Sequence, residues 1–298
     1  MNIGLIDIDG HHFPNLALMK LSAFHKQCGD EVSWADDRHH YDRVYASKVF
    51  DFTPDIRTVP DCDELIKGGT GYGLRADDKL PTEVEHIYPD YGLYGITDTA
   101  YGFLSRGCPR GCPFCIVAQK EGRASHRVAN LYEFWRAQEN VVVMDPNLLA
   151  CPDWEDILLQ LAWSRAFVDI NQGLDIRLID ERRIALINQI RIKSIHFAWD
   201  NAEDDLAERF ALYAKLARRK YNGAWATVYV LVNYNSTMEQ NLYRIEKLRE
   251  MRFDPYVMVY DKQNAPLEIK RLQRWCNNRI IFKSCKWRDY KPTRKELE

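Results

Sequence analysis

The chain has 298 residues and a net charge of −2; 46% of its residues are hydrophobic and 28% are charged. This composition is typical of a soluble globular protein and excludes disorder, collagen-like structure and coiled-coil fibre as the main state. No apolar stretch approaches the ~18 residues that a membrane span needs, and the N-terminus lacks the basic start and apolar run of a signal peptide, so we expect a cytoplasmic protein with no membrane partner.

The first 95 residues alternate between strand-like and helix-like segments. Three short apolar runs read as strands, and one segment between them has its apolar residues on one helical face. These segments are residues 3–8, 16–28, 31–34 and 42–49. A glycine-rich turn at Gly68–Gly73 follows, and residues 81–98, rich in Pro, Gly and Tyr, read as a linker. The pattern predicts a small α/β domain over residues 1–95.

The second part of the chain is more regular. Six short apolar runs are separated mostly by lengths that fit one helix and its loops, and the segments between them carry helical apolar stripes. The runs are residues 102–104, 141–144, 168–170, 195–198, 227–232 and 256–260. Six alternating units predict a parallel sheet. Eight would close a barrel, so residues 96–265 are predicted to form a partial (β/α)6 TIM-like barrel, with an open doubly wound sheet as the alternative.

Polar residues follow most of these predicted strands. In parallel α/β folds the functional site lies at the carboxyl ends of the strands, so this arrangement favours the barrel. The alternative is that each residue starts a turn or caps a helix. The residues are Asp145, Asn147, Asn171, Gln172, Asp200, Asn201, Asn233 and Asn235.

Three of the eight cysteines cluster in one loop. Cys108, Cys112 and Cys115 have the spacing C-x3-C-x2-C, and the prolines and glycine among them exclude a helix. In a cytoplasmic chain, clustered cysteines indicate metal binding or catalysis rather than disulfides. The loop therefore predicts a metal centre.

Thiolates of this kind select zinc, copper(I) or iron–sulfur. Structural zinc usually takes four protein ligands, commonly as two pairs, and no second pair with that spacing is present, so His126 and Cys151 could serve only as isolated fourth ligands. A [4Fe–4S] cluster normally has a thiolate on each of its four irons, so three cysteines leave one iron open for a substrate or cofactor.

The cysteine loop resembles the cluster-binding signature of the radical S-adenosylmethionine (SAM) enzymes, including Phe114 just before the last cysteine. The resemblance extends over residues 97–262 and implies the partial six-unit barrel of that family. It also implies a [4Fe–4S] cluster on the three cysteines, SAM bound to the open iron, and reductive cleavage of SAM to methionine and a 5′-deoxyadenosyl radical. A flavodoxin or ferredoxin-type electron donor is implied as partner.

The same resemblance suggests further SAM contacts. Asp145 and Asn147 follow the second strand, where the family often has glycine-glycine-glutamate, and they could accept a hydrogen bond from the SAM amino group. Arg177 could pair with the SAM carboxylate, or else with Asp175. Asp200 could hold the ribose hydroxyls, or else cap a helix.

The N-terminal segment resembles the Rossmann-like cobalamin-binding domain that precedes many radical SAM barrels. Residues 15–34, residues 41–44 and the pair Gly68-Gly69 carry the resemblance, which implies cobalamin as a further cofactor. Asp9 and His11 match part of a cobalt-ligating Asp-x-His-x-x-Gly motif, but Pro14 replaces the glycine that close approach to a corrin favours. A degenerate domain kept for packing or substrate binding is the leading interpretation.

Several functions follow from these resemblances. The first is a radical SAM enzyme without cobalamin, whose substrate the sequence does not identify, and the second is a cobalamin-dependent radical SAM methyltransferase. A methylthiotransferase-like enzyme needs three N-terminal cysteines, and only Cys28 and Cys62 are present there. A non-catalytic iron–sulfur or zinc binding module is the alternative outside the enzymes.

The C-terminal extension, residues 266–298, is basic. Residues 270–298 hold 10 Lys and Arg against 3 Asp and Glu, whereas residues 1–100 hold 9 against 18. Interleaved aromatic residues suggest that nucleic acid binds this extension. The favoured alternative is that the aromatic side chains pack under the barrel, with residues 280–282 as a strand. The basic extension could also face the acidic N-terminal domain.

Overall fold

The computed structural model describes residues 1–10, 13–74, 79–220 and 223–291. The chain divides into two compact units, one with residues 1–124 and 128–142, the other with residues 125–127 and 143–298. His11, His12 and the last seven residues of the basic extension lie outside the described residues. Within the described ranges, no helix is both long and apolar enough to cross a membrane. The predicted domain limits, 1–95, 96–265 and 266–298, stay predictions.

The first unit contains a four-stranded parallel sheet with the strand order β2-β1-β3-β4. Its strands are β1 (Asn2–Asp7), β2 (Glu31–Trp34), β3 (Tyr41–Ser47) and β4 (Cys62–Gly68). The three strands that the alternating pattern predicts are confirmed. Strand β4 was not predicted, because its charged residues resemble those of the polar segments around it in the sequence.

Helix α1 (Leu16–Gln27) covers this sheet, as its apolar stripe predicts. Asn15 caps the helix, since its side-chain oxygen accepts the amide hydrogen of Leu18. Leu18 and Leu21 pack with residues of β1 in one apolar core. Burying these side chains stabilises the unit by about 1.5–3 kcal/mol for each large one.

The segment predicted as a linker is instead anchored in the first unit. It contains helix α2 (Thr82–Glu85), and Glu85 forms a 2.9 Å ion pair with Lys20 of α1. Tyr91 is only 7% exposed, and its hydroxyl donates to the backbone oxygen of Phe134 at 2.7 Å. The linker prediction is wrong because isolated anchor residues such as Tyr91 leave no periodic pattern in a sequence.

The remaining elements of the first unit lead to the cysteine loop. They are β5 (Thr99–Gly102), β6 (Ser105–Arg106), α3 (Val117–Lys120) and β8 (Asn140–Val143), the last residue of which lies in the second unit. Strands β5 and β8 are neighbours in one sheet. Strand β8 coincides with the predicted strand at residues 141–144, whereas β5 shares only Gly102 with the strand predicted at residues 102–104.

The second unit holds the other four predicted strands in the sheet order β12-β11-β10-β9, with parallel pairing throughout. Its strands are β7 (His126–Arg127), β9 (Phe167–Leu174), β10 (Ile192–Ala198), β11 (Thr227–Val232) and β12 (Asp254–Val259). Its first helices are α4 (Trp154–Ser164), α5 (Glu181–Ile187), α6 (Ala207–Leu216) and α7 (Met238–Glu250). The prediction of an α/β fold with parallel strands is confirmed.

The C-terminal extension is helical, with α8 (Leu267–Asn277) and α9 (Arg279–Ser284). The strand predicted at residues 280–282 is therefore wrong. The side-chain oxygen of Asn278 accepts the amide hydrogens of Ile280 and Ile281, both at 3.1 Å, and so begins a helix. An apolar run of three residues fits a helix or a strand equally well.

The aromatic residues of the extension pack largely as the favoured interpretation predicts. Trp275 and Phe282 are buried, and their ring centroids lie 4.9 Å apart. Arg249 of α7 stacks on Phe282 at 4.6 Å and donates to its backbone oxygen at 2.6 Å. These two rings are therefore engaged in the core. Nucleic-acid binding by the basic extension stays a prediction.

Candidate functional site

The cysteine loop begins directly after β6 at a glycine that tolerates no side chain. Gly107 has φ +84°, and a Cβ atom placed there would lie 2.1 Å from the backbone oxygen of Ala124. The next amide, that of Cys108, donates to the oxygen of Gly122 at 3.2 Å. At the far end, the amide of Cys115 donates to the oxygen of Cys112 at 3.0 Å, which closes a turn between these two cysteines.

An ion pair holds the entrance of the loop. Arg106 of β6 donates to Glu121 at 2.9 Å, and the second oxygen of Glu121 accepts the amide hydrogen of Gly107 at 3.1 Å. The guanidinium group of Arg106 also stacks on the ring of Phe103 at 3.8 Å. These contacts fix the backbone on both sides of the cysteines, so the loop has a defined path at its base.

The three thiols lie half-buried on this loop and form no disulfide, and Phe114 beside them is also half-buried. Over the part of the chain that the structure describes, no three His, Cys, Asp or Glu side chains converge on a point where one ion would sit. A cubane cluster does not need the three thiolates to converge on one point, because each thiolate binds a different iron.

We expect Gly107→Ala to destabilise the protein by at least about 2 kcal/mol more than Gly122→Ala. Both glycines have positive φ, +84° and +92°, so both variants incur the same kind of backbone strain. Only at Gly107 does the new methyl group meet backbone, whereas no atom lies within 4 Å of it at Gly122. Urea unfolding of the two variants measures the difference, and equal losses of stability would contradict this account of the loop.

In the second unit, a network joins the residues that follow β8, β9 and β10. Asn147 donates to Asp175 at 3.4 Å, and Arg177 lies between Asp175 and Asp204, 3.1 Å from each. The backbone of Asn147 also accepts the hydroxyl hydrogen of Ser125 at 3.3 Å. The structure thus brings Asn147 and Arg177 together through Asp175, and it contains the ion pair that was the alternative role for Arg177.

Asp145 and Asp200 are also placed after their strands. Asp145 is 1% exposed. One carboxylate oxygen of Asp200 accepts the amide hydrogen of Leu231 at 3.1 Å. Burial raises the pKa of Asp200, against the opposing effects of that hydrogen bond and of the charges on Arg244 and Arg177. Asp200 does not cap the following helix, whose N-cap residue is Leu206.

Arg244 is a site residue that sequence reasoning missed. It lies on α7 with 0% exposure, and its guanidinium group donates to the backbone oxygens of Trp199, Asp200 and Leu231 at 2.6–2.9 Å. It also donates to Asn241 at 2.6 Å. Burial lowers its pKa to about 10, while the charge of Asp200 acts in the opposite direction.

This arginine ties the ends of β10 and β11 together. Its acceptors come from the residues directly after β10, from β11 and from α7, so the backbone around Asp200 has little freedom to move. The available signal was the position of Asn241 and Arg244 on the same helical stripe as Ile245 and Leu248, where apolar side chains are expected.

The site residues therefore fall into two groups. The cysteines and Phe114 belong to the first unit, and Asp145, Asn147, Arg177 and Asp200 belong to the second. The second group collects at the carboxyl ends of parallel strands, which is where α/β folds bind their ligands.

Comparisons with known proteins give one informative result. No protein-family model matches the chain, and no curated protein matches its sequence. Among solved structures, this chain is similar to that of the radical SAM methyltransferase TsrM from Kitasatospora setae, which has cobalamin and a [4Fe–4S] cluster bound. The TM-score is 0.64 at 11% identity, covering 87% of this chain and 74% of that chain. At this identity the likeness establishes the fold alone.

Proposed function

We propose that the protein is a radical SAM enzyme whose [4Fe–4S] cluster is held by Cys108, Cys112 and Cys115. The observation that carries the proposal is the C-x3-C-x2-C spacing on a loop with a fixed base, in a chain whose fold resembles that of a radical SAM enzyme. When bound, the cluster supplies the electron that cleaves SAM reductively.

The residues of the loop fit such a cluster. The three thiols of the loop form no disulfide and provide soft ligands for three irons. Gly107 and Gly111, both with positive φ, let the backbone turn directly before Cys108 and Cys112. Three thiolates leave a fourth iron free for SAM.

For SAM itself we propose contacts from the second unit. Asp145 and Asn147 carry oxygen acceptors suited to an ammonium group, and Arg177 can exchange a carboxylate partner of its own chain for that of SAM. Asp200, held in place by Leu231 and Arg244, is suited to hydrogen-bond ribose hydroxyls. Phe114 would line the cluster beside Cys115. A flavodoxin or ferredoxin-type donor would deliver the electron, since these clusters work at low potential.

A cobalamin-dependent methyltransferase is the second candidate function. The similar structure carries cobalamin, and its coverage of 87% of this chain includes residues of the first unit. In that unit Asp9, after β1, accepts the hydroxyl hydrogen of Thr53, after β3, at 2.7 Å. Phe50 and Phe52 stack at 5.2 Å on the same exposed loop. The carboxyl ends of β1 and β3 thus carry an ordered polar contact and an exposed apolar surface, which together are suited to a flat macrocycle.

Anaerobic reconstitution with iron and sulfide tests both candidates in one sample. The proposal predicts about four irons and four sulfides per chain. Incubation with a cobalamin followed by gel filtration then separates the two functions, because only the second predicts one corrin retained per chain. Bound zinc without sulfide would instead support a binding module and contradict the proposed function.

A further inference from the structure

The sheet of the second unit has two unlike faces. One is buried and apolar, and it consists of Val168, Ile170, Ile195, Phe197, Val228, Val230 and Val257. The other, which we call the polar face, carries Asp169, Ser194, His196, Tyr229 and Tyr256, together with Thr227, Leu231 and Met258. Parallel strands covered by helices on both faces are usually apolar throughout. A face with polar and aromatic side chains is therefore suited to a ligand rather than to packing.

Aromatic rings form a row across three strands of the polar face. The rings of His196 and Tyr229 are 5.3 Å apart, and those of Tyr229 and Tyr256 are 6.0 Å apart. Tyr229 and Tyr256 are direct partners in the strand register. Tyr256 is 42% exposed, so the row has an accessible end.

The ring of His196 has a hydrogen-bond contact at each nitrogen. Its Nδ1 lies 3.2 Å from the backbone oxygen of Ile170, and its Nε2 lies 3.2 Å from the hydroxyl of Ser194. A carbonyl oxygen only accepts, so Nδ1 carries a hydrogen. These two contacts fix the orientation of the ring, and His196 therefore adds a flat polar group to the row.

Asp169 gives the polar face a negative charge. Among the residues that the structure describes, its buried Oδ1 has no hydrogen-bond partner. It lies near Tyr229, whose pKa is raised first by burial and then by the charge of Asp169. A carboxylate oxygen held away from water without a partner costs free energy, and a bound cation removes that cost.

We propose that the polar face binds a planar organic cation, an amidinium or guanidinium group of the substrate. The carboxylate of Asp169 pairs with its charge, and the ring of Tyr229 contributes cation–π attraction. The ring of Tyr256 crosses that of Tyr229 at 86° and borders the accessible end of the row. This inference rests on the proposed function, since it names the substrate class of that enzyme.

The test compares two probes of the same shape. Benzamidinium carries a charged planar group, and benzamide carries a neutral one. We expect isothermal titration of the full chain to show benzamidinium binding about tenfold more tightly than benzamide. Asp169→Asn, which preserves size, should abolish that preference, and Tyr229→Leu, which removes the ring, should weaken benzamidinium binding severalfold. Glu239→Gln, an exposed carboxylate on α7, is the matched control and should leave both affinities unchanged.

Three results would overturn the inference: no benzamidinium binding, equal affinity for the two probes, or a preference that survives in Asp169→Asn. Circular dichroism of each variant shows whether it is folded. Tyr229→Phe is a second variant, which keeps the aromatic ring and should keep the preference for benzamidinium. The titration uses neither SAM nor a reductant. Its failure is therefore distinguishable from failure of the proposed function, which the iron and sulfide analysis tests separately.

Discussion

Replacing Cys108, Cys112 or Cys115 by Ala is expected to remove the iron–sulfur cluster or leave it incomplete. Each thiolate is assigned one iron, so the loss of one thiol exposes a second iron to solvent and to loss. Iron and sulfide analysis after anaerobic reconstitution measures the effect. We expect wild-type protein to hold about four irons per chain, each single variant markedly fewer, and the triple variant almost none.

Cys62→Ala is the matched control for these variants. Cys62 is also a free, half-buried thiol of the first unit, but it lies on β4 rather than on the loop. Its replacement should leave the iron and sulfide content unchanged. A triple Ala variant that retains a full set of irons would contradict the assignment of the ligands.

Arg244→Met is expected to destabilise the protein by about 3–5 kcal/mol. The variant leaves three buried backbone oxygens and the side chain of Asn241 without their donor. It also leaves Asp200 without the nearby positive charge that opposes its raised pKa. The flexible methionine fills most of the space, so the loss reports missing hydrogen bonds more than a cavity.

Lys247→Met provides the comparison on the same helix. Lys247 is exposed and forms only a 3.3 Å pair with Glu250, so its replacement should change stability by no more than about 0.5 kcal/mol. Urea unfolding of both variants measures the contrast. If Arg244→Met were as stable as Lys247→Met, the buried guanidinium group would have no part in holding β10 and β11.

The sequence predicted the elements whose signal is local. The spacing of the three cysteines and the prolines between them predict an irregular metal-binding loop without knowledge of the fold. The structure confirms that the segment is irregular, and metal binding stays a prediction. Five of the six apolar runs likewise mark strands, because each buried strand places apolar residues close together, whereas the first run overlaps β5 only at Gly102. The polar residues after β8 to β10 were informative as a set, since parallel strands bring their carboxyl ends to one edge.

Other features depend on contacts that no short segment encodes. The helix at Ile280–Phe282 is decided by the cap at Asn278, whereas the apolar run alone allowed a strand. Arg244 donates hydrogen bonds to acceptors from distant segments. Its place on an apolar helical stripe marks it as buried, but the sequence does not show which acceptors it meets. The polar face becomes visible only once the register places Tyr229 beside Tyr256.

The central claim is most directly tested by the products of SAM after reduction. Reconstituted protein, reduced anaerobically with dithionite and incubated with SAM, is predicted to form 5′-deoxyadenosine and methionine in equal amounts. Omission of the reductant should abolish both products, and so should Cys112→Ala. If fully clustered, reduced protein formed no 5′-deoxyadenosine, even in the presence of candidate substrates, the proposal of a radical SAM enzyme would be contradicted.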